Sequence, residues 1–131
     1  MAGEFRFPAA WVAFLDAHAL HGASFEVPEA ADASGLGASV QLLTEAQARE
    51  EAQEAYPGLA VRADGYVPVG MCLSGSGDPY FIRLPDGPRG PLYRIYHDAT
   101  EASGDGGPVR YRPDAIAVVL ACCDALLAYR A

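Results

Sequence analysis

Three short apolar runs, separated by turn-forming residues within Tyr66–Asp98, constrain this chain more than any other feature. Tyr66–Leu73 and Pro79–Leu84 flank Ser74-Gly75-Ser76-Gly77-Asp78. Glycine reaches positive φ without a Cβ clash and aspartate can bond its own backbone, so this segment predicts a tight reversal. The third run, Leu92–Tyr96, follows the turn-rich Pro85-Asp86-Gly87-Pro88-Arg89-Gly90-Pro91. Together they predict three antiparallel strands in a meander that builds the core. Pro68 brings no N–H to a ladder, so its position should be an edge, a bulge or a strand start.

The flanking segments predict helices and a few further strands. Pro8 to about Leu20 carries Trp11, Val12, Phe14, Leu15 and Ala19 at helical spacing, with Pro8 suited to the first turn and Gly22 to the stop. Residues 23–38 read as an irregular connector with a short strand near Ser24–Val27. Val40 and Leu42 alternate with Ser39 and Gln41, which predicts a strand over Ser39–Leu43. Thr44-Glu45-Ala46-Gln47 is a capping-box pattern opening a second helix, about Glu45 to Tyr56, that Pro57-Gly58 ends. Its inner face is thin, mostly Ala48, Ala52 and Ala55 with Tyr56, while Glu50, Glu51 and Glu54 lie outside. Leu59–Val61 suggests an edge strand and Val109–Tyr111 a last short one. Pro113 to Tyr129 reads as a final helix with Ile116, Val119, Leu120, Cys123 and Leu127 as its buried stripe. The expected fold class is α+β: an antiparallel sheet of about four to six strands with N-terminal, middle and C-terminal helices. At 131 residues, 1–131 is expected to be one domain around one core.

Charge narrows the function. The net charge is −8, and arginine supplies every basic side chain, a composition typical of GC-rich bacterial genomes. Residues 26–64 hold eight acids against Arg49 and Arg62, which accounts for six of the eight net negative charges. A nucleic-acid binder needs the opposite sign. A clustered acidic face instead suits a basic protein partner, whose encounter it steers, although such a face also serves solubility. No apolar run approaches the roughly 20 residues of a membrane span. The N-terminus lacks a signal-peptide pattern, so a cytoplasmic protein is expected. The three cysteines, with Cys122 and Cys123 adjacent and Cys72 alone, form neither a disulfide framework nor a metal spacing, and read as small apolar residues.

No catalytic set assembles from the motifs. Gly75-Ser76-Gly77 leads into a strand, whereas a phosphate loop opens a helix. Ser74 or Ser76 with His97 and Asp78 or Asp98 lacks the nucleophile elbow of a hydrolase. His18 and His21 share a helix face but have no third ligand at matching spacing. No cofactor, metal or catalytic residue is therefore expected. The alternative, a small hydrolase or metal enzyme, would rest on His97 and Asp78. The candidate partner contacts are Glu50, Glu51 and Glu54 on the second helix, Asp78 and Asp98 at loop rims, and the tyrosines Tyr80, Tyr93 and Tyr96. Tyrosine offers contact area at low entropy cost, yet it is also at home in a sheet core. Tyr93 and Tyr96 have opposite parity, so at most one of them faces the core.

The order of these motifs carries a resemblance. An aromatic, Pro68-Val69-Gly70, Gly77-Asp78, Tyr80-Phe81-Ile82 and a strand ending in His97-Asp98 lie between an early and a late helix. Phe7-Pro8, Trp11 and Phe14-Leu15 fit the early segment. The chain thereby resembles the SUKH superfamily, which groups bacterial immunity proteins with Smi/Knr-type fungal cell-wall regulators. The resemblance implies a non-catalytic protein-binding domain. Its partner would be a cognate polymorphic toxin, often a nuclease, whose active site is covered. The alternative within the family is an intracellular adaptor or regulator. Arg83 stands where the family pattern often has an acid, a departure that implies different partner specificity.

Overall fold

The computed structural model describes residues 6–54, 65–73, 79–84, 87–95, 100–101, 110–111 and 116–130. Helix α1 (Ala9–Ala17) is followed by strands β1 (Ser24–Val27) and β2 (Ala38–Leu42), then helix α2 (Glu45–Glu54). Strands β3 (Tyr66–Cys72), β4 (Pro79–Arg83) and β5 (Leu92–Ile95) form the expected antiparallel meander, with a 3-10 turn at Gly87–Arg89. Short strands β6 (Thr100–Glu101) and β7 (Arg110–Tyr111) pair with each other. Strand β8 (Ile116–Leu120) and a 3-10 helix (Cys123–Tyr129) follow. The main sheet has six antiparallel strands in the order β1-β2-β3-β4-β5-β8, an α+β fold.

Alternation decides which side of each strand is buried. Phe25 and Val27 on β1 point into the main core, as do Ala38, Val40 and Leu42 on β2. Val67, Val69, Tyr80, Ile82 and Leu92 continue that core, and Trp11, Phe14 and Leu15 of α1 cover it. A smaller cluster of Tyr66, Phe81 and Ile95 joins Tyr93 and Ile116. Its rings meet edge-on, Tyr66 to Tyr93 at 5.4 Å and Tyr66 to Phe81 at 6.5 Å. The β3–β4 register shifts between Pro68 and Gly70, so the donor-poor proline sits at a bulge. Gly70 is required by crowding: a Cβ there would lie 2.9 Å from Val40 Cγ1 and 3.4 Å from Tyr80 Cβ.

The helix ends follow local chemistry. Pro8 is the N-cap of α1, one position earlier than expected, and its carbonyl accepts from the Trp11 and Val12 amides. The stop comes at Ala19, before Gly22. Ala19 takes φ 53°, and the Leu20 N–H donates to the Leu15 carbonyl at 2.9 Å. This is a Schellman closure with alanine in the left-handed position, held by burial of Leu15 and Leu20 against the core. Arg130 adds to it, donating to the carbonyls of His18 and Ala19. At α2 the capping box is complete: the Gln47 N–H donates to Thr44 Oγ1 at 3.2 Å, and the Thr44 N–H to Gln47 Oε1 at 2.9 Å. The proposed strand Leu59–Val61, the Pro57-Gly58 stop and the Ser74–Asp78 turn lie outside the described residues.

One long element is corrected. Where a helix from Pro113 to Tyr129 was expected, Ile116–Leu120 is a strand paired with β5, and among the described residues of that span only Cys123–Tyr129 is helical, as a 3-10 helix. Ile116, Val118 and Val119 are β-branched and prefer an extended backbone, and a short apolar run fits both periodicities. Leu126, not Leu127, enters the core, while Leu127 is exposed. Arg130 then bridges to Phe25 on β1, so the sheet curls back towards its own first edge.

The curl brings β5 beneath the loop between β1 and β2, where a charged residue is buried. Arg94 Nη2 donates to the Gly37 carbonyl at 2.8 Å and to the Tyr80 hydroxyl at 2.9 Å. Its Nη1 donates to Ser34 Oγ at 3.2 Å and lies 3.8 Å from Asp32 Oδ2. The two side chains are 4% and 0% exposed, so Asp32 belongs to the core and not to the acidic surface. Removing the guanidinium would strand the Asp32 carboxylate. Arg94→Ala is expected to lower unfolding free energy by about 3–5 kcal/mol in denaturant titration. Gly70→Ala is expected to lower it by about 1–3 kcal/mol, because Val40 and Tyr80 must shift to admit a methyl group.

Candidate functional site

Helix α2 places its residues by the size of its inner ones. Ala48 and Ala52 are fully buried, and such small side chains let the helix lie close to its neighbours. Between α2 and the facing ends of β3 and β4 is a cleft of about 310 Å³. Gln47, Glu50 and Glu51 line it from the helix, Leu43 from the end of β2, Gly70 and Met71 from β3, and Pro79 from β4. Met71 is 45% exposed, and Leu73, two residues further on, is 50% exposed.

The electrostatics of this cleft are unbalanced. Glu50 is exposed and Glu51 half-buried, and among the described residues no cation pairs with either. Arg49, the nearest basic residue in sequence, turns to Glu45 at 3.7 Å. Burial pushes the Glu51 carboxyl above its ordinary range, and the neighbouring Glu50 charge adds to this. A second cleft, of about 270 Å³, lies between α1 and the start of α2. Its polar residues are already engaged: Glu45 accepts the Phe7 N–H, Thr44 caps α2, and His21 bonds Asp16.

No family model, characterised protein or solved structure matches this chain. The geometry of its own residues therefore carries the functional argument.

The candidate contacts scatter. Glu50 and Glu51 share the cleft, and Glu54 is the last residue of α2. Tyr80 is not a partner contact: it is 0% exposed, and its hydroxyl accepts from Arg94. Its inward position follows from β4 alternation beside Arg94, its register partner on β5. Burial pushes its phenol up to about 12, against the lowering pull of Arg94. Tyr93 is half-buried and stacks on Tyr66 in the smaller cluster. Asp78, Tyr96 and Asp98 lie outside the described residues, as do Ser74, Ser76 and His97. His18 stacks edge-on against Phe14 at 5.3 Å, and among the described residues no three metal-ligating side chains gather. Cys123 is buried and pushed up to about 12, so it carries no thiolate at neutral pH.

Sequence reasoning found the acids of this cleft and missed its walls. Met71 stands opposite Gln41 and Pro79 in the sheet register. Gln41 is an outward position of β2, so the exposure of Met71 follows once the register is known.

The Glu51 shift has a stability consequence of defined sign. A carboxyl raised on folding destabilises the fold while ionised, and the cost disappears as pH falls through the raised value towards the ordinary one. Glu51→Gln is expected to raise the melting temperature at pH 7, with the gap closing as pH falls into the ordinary carboxylate range. Melting curves of both proteins across that range test it.

Proposed function

We propose that this domain is a non-catalytic protein-binding module of the SUKH type, an immunity protein that covers the active site of a basic, nucleic-acid-cleaving toxin. One observation carries the reading. Two carboxylates with no cationic partner among the described residues line a cleft beside the exposed side chain of Met71. Acids alone keep a protein soluble. Acids set against exposed Met71 offer what a protein interface uses, an apolar contact with a charged rim. A nuclease must present positive charge to its own substrate. A partner carrying net charge −8 is drawn to that surface and excludes nucleic acid from it. Neither step asks this chain to make or break a bond.

The test is titration of the purified protein against the toxin domains encoded beside its gene. Calorimetry should show binding that weakens with salt, and the toxin's nuclease activity should fall in proportion to the complex formed. Reversing Glu50 and Glu51 together to arginine should weaken association by about tenfold or more, mainly through a slower on-rate. Absence of binding to every neighbouring product would sink the proposal.

A further inference from the structure

The cleft between α2 and the β3–β4 ends has the walls of a side-chain pocket. Its volume, about 310 Å³, is at the small end of the range for ligand sites. Leu43, Met71 and Pro79 supply apolar surface, while Glu50 and Glu51 supply negative charge. That pairing selects the occupant. An ammonium is compact and strongly hydrated, and gains little from apolar walls. A guanidinium is planar and weakly hydrated, packs its faces on apolar groups, and presents a fork that matches a carboxylate. A neutral apolar side chain would leave Glu51 half-buried and unpaired, at a desolvation cost.

We propose that this cleft receives one arginine side chain of the partner protein, its guanidinium set against the Glu51 carboxylate and its stem along Met71. The assignment rests on the protein-binding reading above and narrows it to one anchor. Three observations support it independently of net charge. The cleft sets apolar walls and two carboxylates around one space. Glu51 is half-buried with no cation beside it among the described residues. Its carboxyl is raised by burial and by Glu50, a strain that a bound cation relieves. Arginine is also the charged residue most often found as an interface anchor.

The probe is N-acetyl-glycyl-arginyl-glycine amide, with the citrulline peptide as its uncharged counterpart of nearly the same shape. Titration into the isotope-labelled full chain is followed by amide shifts in nuclear magnetic resonance. The arginine peptide should move the signals of Gln47, Glu50, Glu51 and Met71. The citrulline peptide should bind at least about tenfold more weakly. Glu51→Gln should lose a similar factor while its other signals stay in place, and Glu45→Gln, outside the cleft, should lose none. No shifts at all, equal shifts from both peptides, shifts centred elsewhere, or the cleft being filled by a second copy of the chain would each overturn the assignment. The two proposals fail separately. A toxin that binds Glu51→Gln as tightly as the parent removes the pocket and keeps the protein-binding reading. Arginine-peptide binding without any toxin partner does the reverse.

Discussion

A buried guanidinium holds the architecture together. Arg94 stands on the core side of β5 and reaches Tyr80 on β4, and Ser34 and the Gly37 carbonyl in the loop after β1, with Asp32 at ion-pair distance. Asp32 in turn accepts from both the amide and the hydroxyl of Ser34, at 2.7 and 2.6 Å. A buried ion pair adds little net stability over an apolar substitute of the same volume, because both charges must leave water. What it supplies is specification. Residues 28–37 are short of large apolar side chains, and hydrophobic burial alone would not choose one path for them. The arginine's Nη1 and Nη2 reach Ser34 and the Gly37 carbonyl only when that loop lies over the sheet in one place.

The same loop protects an edge of the sheet. The Ala33 N–H donates to the Val119 carbonyl at 2.8 Å, on the outermost strand. At the other edge Arg130 pairs with Phe25 and ties the carbonyls that end α1. Exposed edges invite pairing with other chains, and here backbone contacts occupy part of both. Association by strand addition is thereby disfavoured. Among the described residues, unpaired carboxylates stand beside exposed apolar surface where α2 flanks the sheet.

Local signals carried the meander, the first two helices and the hairpin partners, because each was punctuated. Thr44 and Gln47 announced α2, and Pro68 announced the bulge it occupies. What escaped was decided by distant residues. Ile116–Leu120 repeats at both strand and helix spacing, and pairing with Leu92–Ile95 selected the strand. Ala19 adopts positive φ although glycine was available three residues later, because Leu20 is drawn into the core. Arg94 shares the parity of Leu92, a charged residue at an inward position, and that conflict was the one legible trace of the polar core. Of the candidate site, the charge was visible and the shape was not. Glu50 and Glu51 could be placed on an outer helix face, whereas the walls depend on the β2–β3–β4 register.

The position of α2 links that shape to its charge. With leucines in place of Ala48 and Ala52 the helix would bury more area and stand further from β3, since each added methylene needs room. Alanines give up that stabilisation and let the helix settle close. Glu51 is then carried part-way out of water beside Met71, where its ionised form is disfavoured. Two sources of stability are thus forgone on one helix, the apolar area and the solvation of a carboxylate. Neither loss helps the fold. Both produce a half-dry negative site, and a cation from outside is the group that recovers the second. A solvated acidic surface would need neither the alanines nor the half-burial, which is why the arrangement argues for a ligand more strongly than the net charge does.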